Sequence, residues 1–417
     1  MTALGAILGL LLAIVLIIRK VPPVYSLMLG AVVGGLAGGI GLPATVSAMI
    51  SGVADVSPAV VRILAAGVLS GALVVSGAAE SIATFIIRVM GRRHILAAMA
   101  LAAMLLTATG VFIDVAVITV APVALSAAGR LRIPRATLLV MLIGGGKCGN
   151  VISPNPNTIV SAENFGADLY SVMYANLIPA IIGLIFTVYL IGRLLPKVAG
   201  DDEPMPQAGA ADSASLPGIL PSVAGPVAAV LLLALRPLSG ISIDPAVALP
   251  VGGIICLLAT RRWRLTGESL RYGLEKMSVV AVLLIGTGTI AGIIKASSLK
   301  DVILGALSHT GFGESLLAPV SGILMSAATA STTAGATVAS SSFAQTILAA
   351  GVSAVWGAAM VNSGATVLDH LPHGSFFHAT GGAAELSIGK RLRLLPYETA
   401  IGFILALGTY MAYMLVG

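Results

Sequence analysis

The stretch Gly144-Gly145-Gly146-Lys147-Cys148-Gly149-Asn150-Val151-Ile152-Ser153-Pro154-Asn155-Pro156-Asn157-Thr158 lies inside an apolar run from about 136 to 165. A run of that length can cross a bilayer core of about 30 Å. Four glycines and two prolines argue against one regular helix here, because proline lacks a backbone donor and clashes with the preceding turn. Unwound backbone at membrane depth is tolerated only where it is buried in protein or lines a water-filled cavity. The segment therefore predicts a broken membrane helix whose freed amides and carbonyls can bind small ions.

The rest of the chain fits a membrane setting. A soluble protein carries about 25% charged residues, roughly 100 in a chain of this length, whereas the 417 residues here hold 23 Lys+Arg and 17 Asp+Glu, with 57% hydrophobic residues. Mean hydropathy is +1.03. Such a chain meets lipid over most of its surface. Aromatics at 5% offer little for stacking nucleic acid, and the net charge of +6 sits in short clusters between apolar runs. Cys148 and Cys256 lie in apolar segments without a C-x-x-C, so neither a disulfide nor a zinc site is expected. No basic n-region precedes the first apolar stretch, which is read as a membrane helix and not as a signal peptide.

Spans are expected at about 3–18, 24–40, 57–79, 136–165, 169–193, 217–236, 245–260, 277–297, 350–385 and 395–416. The clusters Arg19-Lys20, Arg88 with Arg92-Arg93, Arg130 with Arg132 and Arg135, Arg193 with Lys197, Arg261-Arg262 with Arg264, and Lys390-Arg391 with Arg393 then mark the cytoplasmic face. Both termini fall outside. Between Arg93 and Arg130 only 36 residues intervene, interrupted at Gly110 and Asp114, which predicts a re-entrant hairpin with its tip near the midplane. A second hairpin is expected over 313–349, tipped by Ser331-Thr332-Thr333 and entering from the opposite side. An offset of 218 sets Thr119-Val120-Ala121 on Thr337-Val338-Ala339, Gly146 on Gly364 and Pro154 on Pro372. Each half then holds five spans and one hairpin, and an odd number of spans inverts the second copy. The expected fold is an all-α polytopic membrane protein of two inverted repeats, 1–199 and 217–417, joined by a polar cytoplasmic linker at 200–216.

Charged residues left inside the membrane are candidates for function. Lys147 lies 12 residues beyond Arg135, about 18 Å of helix and roughly half the bilayer core. It serves either as counter-charge for a substrate carboxylate or as a structural partner of Asp114. Asp114 is the only acidic residue between Glu80 and Glu163. It is placed at a hairpin tip, where it can take up a proton or hold a cation. In the second half, Asn362 precedes Asp369-His370-Leu371-Pro372-His373-Gly374-Ser375. The histidines suit a proton relay because their ordinary pKa lies near physiological pH; the alternatives are structural capping or a metal, and no H-E-x-x-H spacing supports the metal. Asp114, Asp369, His370 and His373 are the proton-coupling candidates. Lys147, Asn150, Asn155, Asn157, Thr158, Ser331, Thr332, Thr333, Asn362 and Ser375 are the substrate-binding candidates. No metal and no cofactor is expected, and the residues give no enzyme motif.

The run from Gly110 to Asp168, with S-P-N-P-N-T leading to Phe165-Gly166-Ala167-Asp168, resembles the gluconate/proton symporter (GntP) family of the wider ion transporter superfamily. So does the run from Ser331 through Asp369-His370-Leu371-Pro372-His373 to Glu398-Thr399. The resemblance implies inverted repeats, an elevator-type transport domain, a homodimer, and uptake of gluconate-like sugar acids or hydroxy acids with protons across the inner membrane. The family's acidic residue falls on Asp114 and its histidine on His370. Asn155-Pro156-Asn157-Thr158 replaces its H-P-G-P element, and Pro372-His373 its Asn-Asp. Sodium coupling to a carboxylate, or a D-serine-type amino acid substrate, is the alternative.

Overall fold

The computed structural model describes residues 1–128, 133–198, 216–239, 241, 243–299, 302, 314–372 and 374–416. Every regular element among them is a helix. The first half runs α1 (Ala3–Ile18), α2 (Pro23–Ala37), α3 (Leu42–Val75), α4 (Ala78–Met90), α5 (Ile95–Ala108), α6 (Ile113–Ala128), α7 (Arg135–Asn150), α8 (Pro156–Phe165), α9 (Leu169–Ala175), α10 (Leu177–Ile185) and α11 (Gly192–Val198). The second runs α12 (Ile219–Ser239), α13 (Pro245–Ala259), α14 (Thr266–Lys295), α15 (Leu317–Thr329), α16 (Thr332–Ala349), α17 (Ala354–Gly364), α18 (Ser375–Ala383), α19 (Ile388–Leu392) and α20 (Leu395–Val416). Four helical runs, Leu42–Val75, Leu169–Leu195, Trp263–Lys295 and Ile388–Val416, are long and apolar enough to cross a membrane. The expected linker lies outside the described residues apart from Leu216, as do Arg130, Arg132 and His373.

Two of the expected spans are too short. The helix expected from 57 begins at Leu42, and that expected from 277 begins at Thr266. In α3 the helix passes through Pro58, and the Ser57 hydroxyl donates to the Val53 carbonyl at 3.0 Å in the turn that Pro58 deprives of a donor. In α14 the early turns carry Arg271, Glu275 and Lys276. These charges hide the helix from a hydropathy window without breaking its backbone.

The long helices α3 and α14 pack against each other, with α2 and α13 beside them. Their contact is made at glycines. A Cβ on Gly52 would lie 2.1 Å from the Gly288 carbonyl oxygen, and one on Gly292 would lie 2.0 Å from that of Ala48. With lipid outside there is no hydrophobic force between such helices, so close backbone approach carries the association. Gly292→Ala is expected to cost about 1–3 kcal/mol by overpacking. A thermal midpoint equal to that of the native protein would show that the two helices part without cost.

The opening segment behaves differently from its reading. Helix α7 continues through all four glycines to Asn150, and the break falls only at Val151–Asn155, before Pro156 starts α8. The glycines serve packing: a Cβ on Gly145 would sit 1.9 Å from the Ala100 carbonyl oxygen of α5, and one on Gly149 2.0 Å from that of Met104. A glycine in a helix is a weak breaker when a neighbouring backbone fills the space its side chain would need, whereas proline breaks the ladder whatever lies alongside.

Both hairpins form. α5 and α6 are joined by a turn in which Gly110 takes φ +100°, and α15 and α16 by one in which Ala330 takes φ +47°. A left-handed alanine costs about 1–2 kcal/mol. It is held in place by Gly374, on which a Cβ would meet the Ala330 carbonyl oxygen at 2.4 Å. α5 packs on α7 and α15 on α17, so each hairpin leans on a helix that breaks before a second, shorter helix follows.

Candidate functional site

Where α7 ends, Lys147 meets the irregular segment between α17 and α18. Its ammonium donates to Asp369 Oδ1 at 2.7 Å, to the Thr366 carbonyl and, at 3.4 Å, to the Glu398 carbonyl. It also stands 3.0 Å from His370 Nδ1. Lys147 is 0% exposed and Asp369 2%. The expected alternative partner, Asp114, is not in this contact; the carboxylate comes from the other half of the chain. Asp369 Oδ2 accepts from the hydroxyl of Thr332 at the second hairpin tip.

The neighbours of His370 place a hydrogen on its Nε2. Its Nε2 faces the Leu395 carbonyl at 3.2 Å and the Thr399 hydroxyl at 3.1 Å. A carbonyl only accepts, so Nε2 carries hydrogen, while Nδ1 lies between the Lys147 ammonium at 3.0 Å and Asp369 Oδ1 at 3.1 Å.

In front of this cluster is a cavity of ≈ 370 Å³ lined by Phe112, Ile113, Asp114, Asn150, Glu275, Lys276, Val279, Val280, Leu283, Ser331, Thr332, Thr333, Asp369, Ser375 and Phe376. Of the expected site residues, Asp114, Asn150, Ser331, Thr332, Thr333, Asp369 and Ser375 line it. Lys147 and His370 stand behind Asp369. Asn155, Asn157, Thr158 and Asn362 lie in a buried amide network between the broken helices. There Asn155 donates to Asn150 Oδ1 at 2.6 Å, Asn157 to Asn362 Oδ1 at 2.8 Å, and Asn362 to Thr158 Oγ1 at 3.1 Å. Asn155 Oδ1, buried, has no hydrogen-bond partner.

Helix ends dominate the cavity wall. Asp114 lies in the first turn of α6, Thr332 and Thr333 open α16, and Ser375 and Phe376 open α18. Ser331 caps α16, its hydroxyl accepting from the Ala334 amide at 3.3 Å. Three helix N-termini present free amides and the positive ends of their dipoles to one space.

Sequence reading missed Glu275, Lys276, Phe112 and Phe376. The first two fell just outside the expected span at 277; no signal marked the two aromatics. It also read Arg391 as a cytoplasmic marker, but Arg391 is 1% exposed and paired with Glu398, itself 0% exposed. The guanidinium donates to Glu398 Oε2 at 2.9 Å and its Cζ sits 4.9 Å from the Phe377 ring centroid. A basic cluster beside a membrane helix marks topology only where its members reach water, and Arg391 folds inward. A second cavity, of ≈ 470 Å³, is lined by residues that include Asp55, Glu163, Lys295, Ser340 and Gln345. Beside it Arg62 of α3 joins Glu163 of α8 to Asp244 at the start of α13. Its guanidinium holds the Asp244 carboxyl below the usual carboxylate range.

Broken helices around a cavity in an all-helical polytopic chain are an arrangement found in membrane transporters, and the relatives of this chain are permeases and transporters. A family model for GntP family permeases matches residues 1–249, and the chain belongs to that family. It is 50% identical over 406 residues to an uncharacterized transporter of Haemophilus influenzae, covering 97% of this chain and 96% of that one. It is 23% identical over 397 residues to the high-affinity gluconate transporter of Escherichia coli, covering 89% and 90%. The solved structure of the YdaH transporter of Alcanivorax borkumensis, described as having an unusual topology, aligns at a TM-score of 0.61 and 14% identity, covering 90% of this chain and 89% of that one. It shares the fold.

Proposed function

We propose that the protein is a secondary active symporter that imports a small organic acid anion, a gluconate-like sugar acid or a hydroxy acid, together with protons. The observation that carries this is the cavity ringed by the N-termini of α6, α16 and α18. Free amides and helix dipoles favour a carboxylate, and the hydroxyls of Ser331, Thr332, Thr333 and Ser375 suit the hydroxyl groups of a sugar acid. The family and its gluconate-transporting relative support the same substrate class. In this reading Asp114 carries the coupling proton, and Asp369 with His370 forms a second, buried proton station. Lys147, its ammonium fully coordinated, sets Asp369 against the cavity and does not meet the substrate itself. His373, a further candidate, lies outside the described residues.

The arrangement supports an elevator. In this reading the chain is two inverted repeats, 1–199 and 217–417, with a linker at 200–216; a long helix, a helical hairpin and a broken helix in each half support it (α3, α5–α6 and α7–α8; α14, α15–α16 and α17–α18). The two hairpins and two broken helices would move as a unit against α3 and α14. The cavity meets the half of α14 nearer Arg261 and Arg264, so by the distribution of basic residues it opens to the cytoplasm. The site of action is the inner membrane, with the chain as a homodimer.

Proteoliposomes containing the purified protein test the function. With an acidic exterior and no sodium, labelled gluconate or a related hydroxy acid is expected to accumulate inside and to be released by a protonophore. Uptake that needs sodium at uniform pH would favour a sodium symporter instead. The unpartnered Asn155 Oδ1 beside the unwound backbone at Val151–Asn155 supports that second reading.

A further inference from the structure

The cavity holds more acid than base. Asp114, Glu275 and Asp369 line it, against the single cation Lys276. Lys147 offsets Asp369 from behind but is wholly buried, with its ammonium given to Asp369, the Thr366 carbonyl and His370. A carboxylate entering this space meets charges of its own sign unless a cation faces it.

We propose that Lys276 is the counter-charge of the substrate carboxylate in the conformation described here. The assignment rests on the organic-anion reading above and names the residue that recognises the anion. Lys276 is half-buried on the cavity wall contributed by α14. Its ammonium sits 5.7 Å from the centroid of the Tyr272 ring, one turn earlier, and among the described residues it makes no ion pair. An ammonium held by a ring face and short of a carboxylate keeps its donors for a ligand. An interfacial lysine reaching for water would be placed otherwise, on the lipid-facing side of α14 and away from the hairpin tips.

The position of Lys276 also makes the contact state-dependent. α14 packs on α2 and α3 and also on α16, while the amides and hydroxyls of the site come from α6, α16 and α18. Lys276 thus faces the hairpin tips from a helix that supplies none of those groups, and on the elevator reading it meets the substrate only when the tips lie beside this half of α14.

The test compares gluconate with gluconamide, its neutral amide, by equilibrium binding to the purified protein. The native protein is expected to prefer the acid by about 10- to 100-fold, the range of one charge-assisted hydrogen bond. Lys276→Met is expected to lose that preference while binding the amide as before, and Lys276→Arg to keep it. Lys295→Met, in an exposed pair with Asp55, is the control and should match the native protein. A structural role for Lys276 would weaken both ligands together. Should Lys276→Met not fold, loss or retention of the preference in Lys276→Gln decides. Native protein that binds gluconate while Lys276→Met keeps its preference for the acid overturns the assignment alone. Native protein that binds no sugar acid or hydroxy acid overturns the organic-anion reading and this assignment with it.

Discussion

Lys147→Met is expected to destabilise the protein by about 3–5 kcal/mol and to abolish transport. The substitution leaves the Asp369 carboxylate buried, with the Thr332 hydroxyl and the His370 imidazole as its polar neighbours. Removing one partner of a buried pair costs far more than the pair contributes, because the remaining charge has neither water nor counter-ion. Lys147→Met combined with Asp369→Asn removes both charges, and the amide oxygen still accepts from Thr332. Most of the lost stability should return in the double variant. Transport should not, since the amide cannot hold the charge that the proton station requires. The thermal midpoint in detergent and uptake by proteoliposomes read the two effects separately. A single variant that melts with the native protein would show that Asp369 is neutral in the fold and needs no partner. A double variant that transports would remove Asp369 from the coupling path.

What was legible beforehand follows from the range of each interaction. The prolines at 154 and 156 broke the helix as read, because the clash and missing donor belong to the residue itself. The hairpin tips were legible for a related reason: Asp114 and Ser331-Thr332-Thr333 interrupt apolar runs flanked by charge or bounded in length. The glycines of α7 were not, since whether a glycine unwinds a helix or admits a neighbour depends on α5, some 45 residues away by the Ala100–Gly145 contact. The partner of Lys147 lies 222 residues distant, beyond any local pattern, so two roles stayed open until the halves were seen together. Lys276 fell on the wrong side of a boundary because hydropathy judges a helix by the water-avoidance of its residues, while a helix facing a polar cavity can carry charge well inside its length. Arg391 shows the converse: a charge that reads as surface becomes interior when a carboxylate, here Glu398, lies within seven residues to receive it.

Asp114→Asn is expected to abolish accumulation of the substrate against its gradient while leaving exchange of internal for external substrate intact. Asp114 lies in the first turn of α6, part-exposed to the cavity, and makes no ion pair among the described residues. The dipole of α6 favours its charged form, while an anion arriving in the same cavity opposes it. A proton on Asp114 and an anion beside it therefore stabilise each other, and by reciprocity each raises the affinity for the other. The native protein should therefore bind its substrate more tightly as pH falls, by at most about tenfold per unit for one coupled proton. Asparagine imitates the protonated state at every pH. The variant should bind at least as well as the native protein at neutral pH, with an affinity that no longer follows pH through this group. It then carries substrate in both directions with equal ease and cannot use the proton gradient, because the bound state no longer differs from the empty one by a proton. Counterflow at native rates with no accumulation under an imposed pH gradient is the expected pair of results. Full accumulation by Asp114→Asn would move the coupling proton elsewhere, to Asp369 on the cavity wall and His370 behind it.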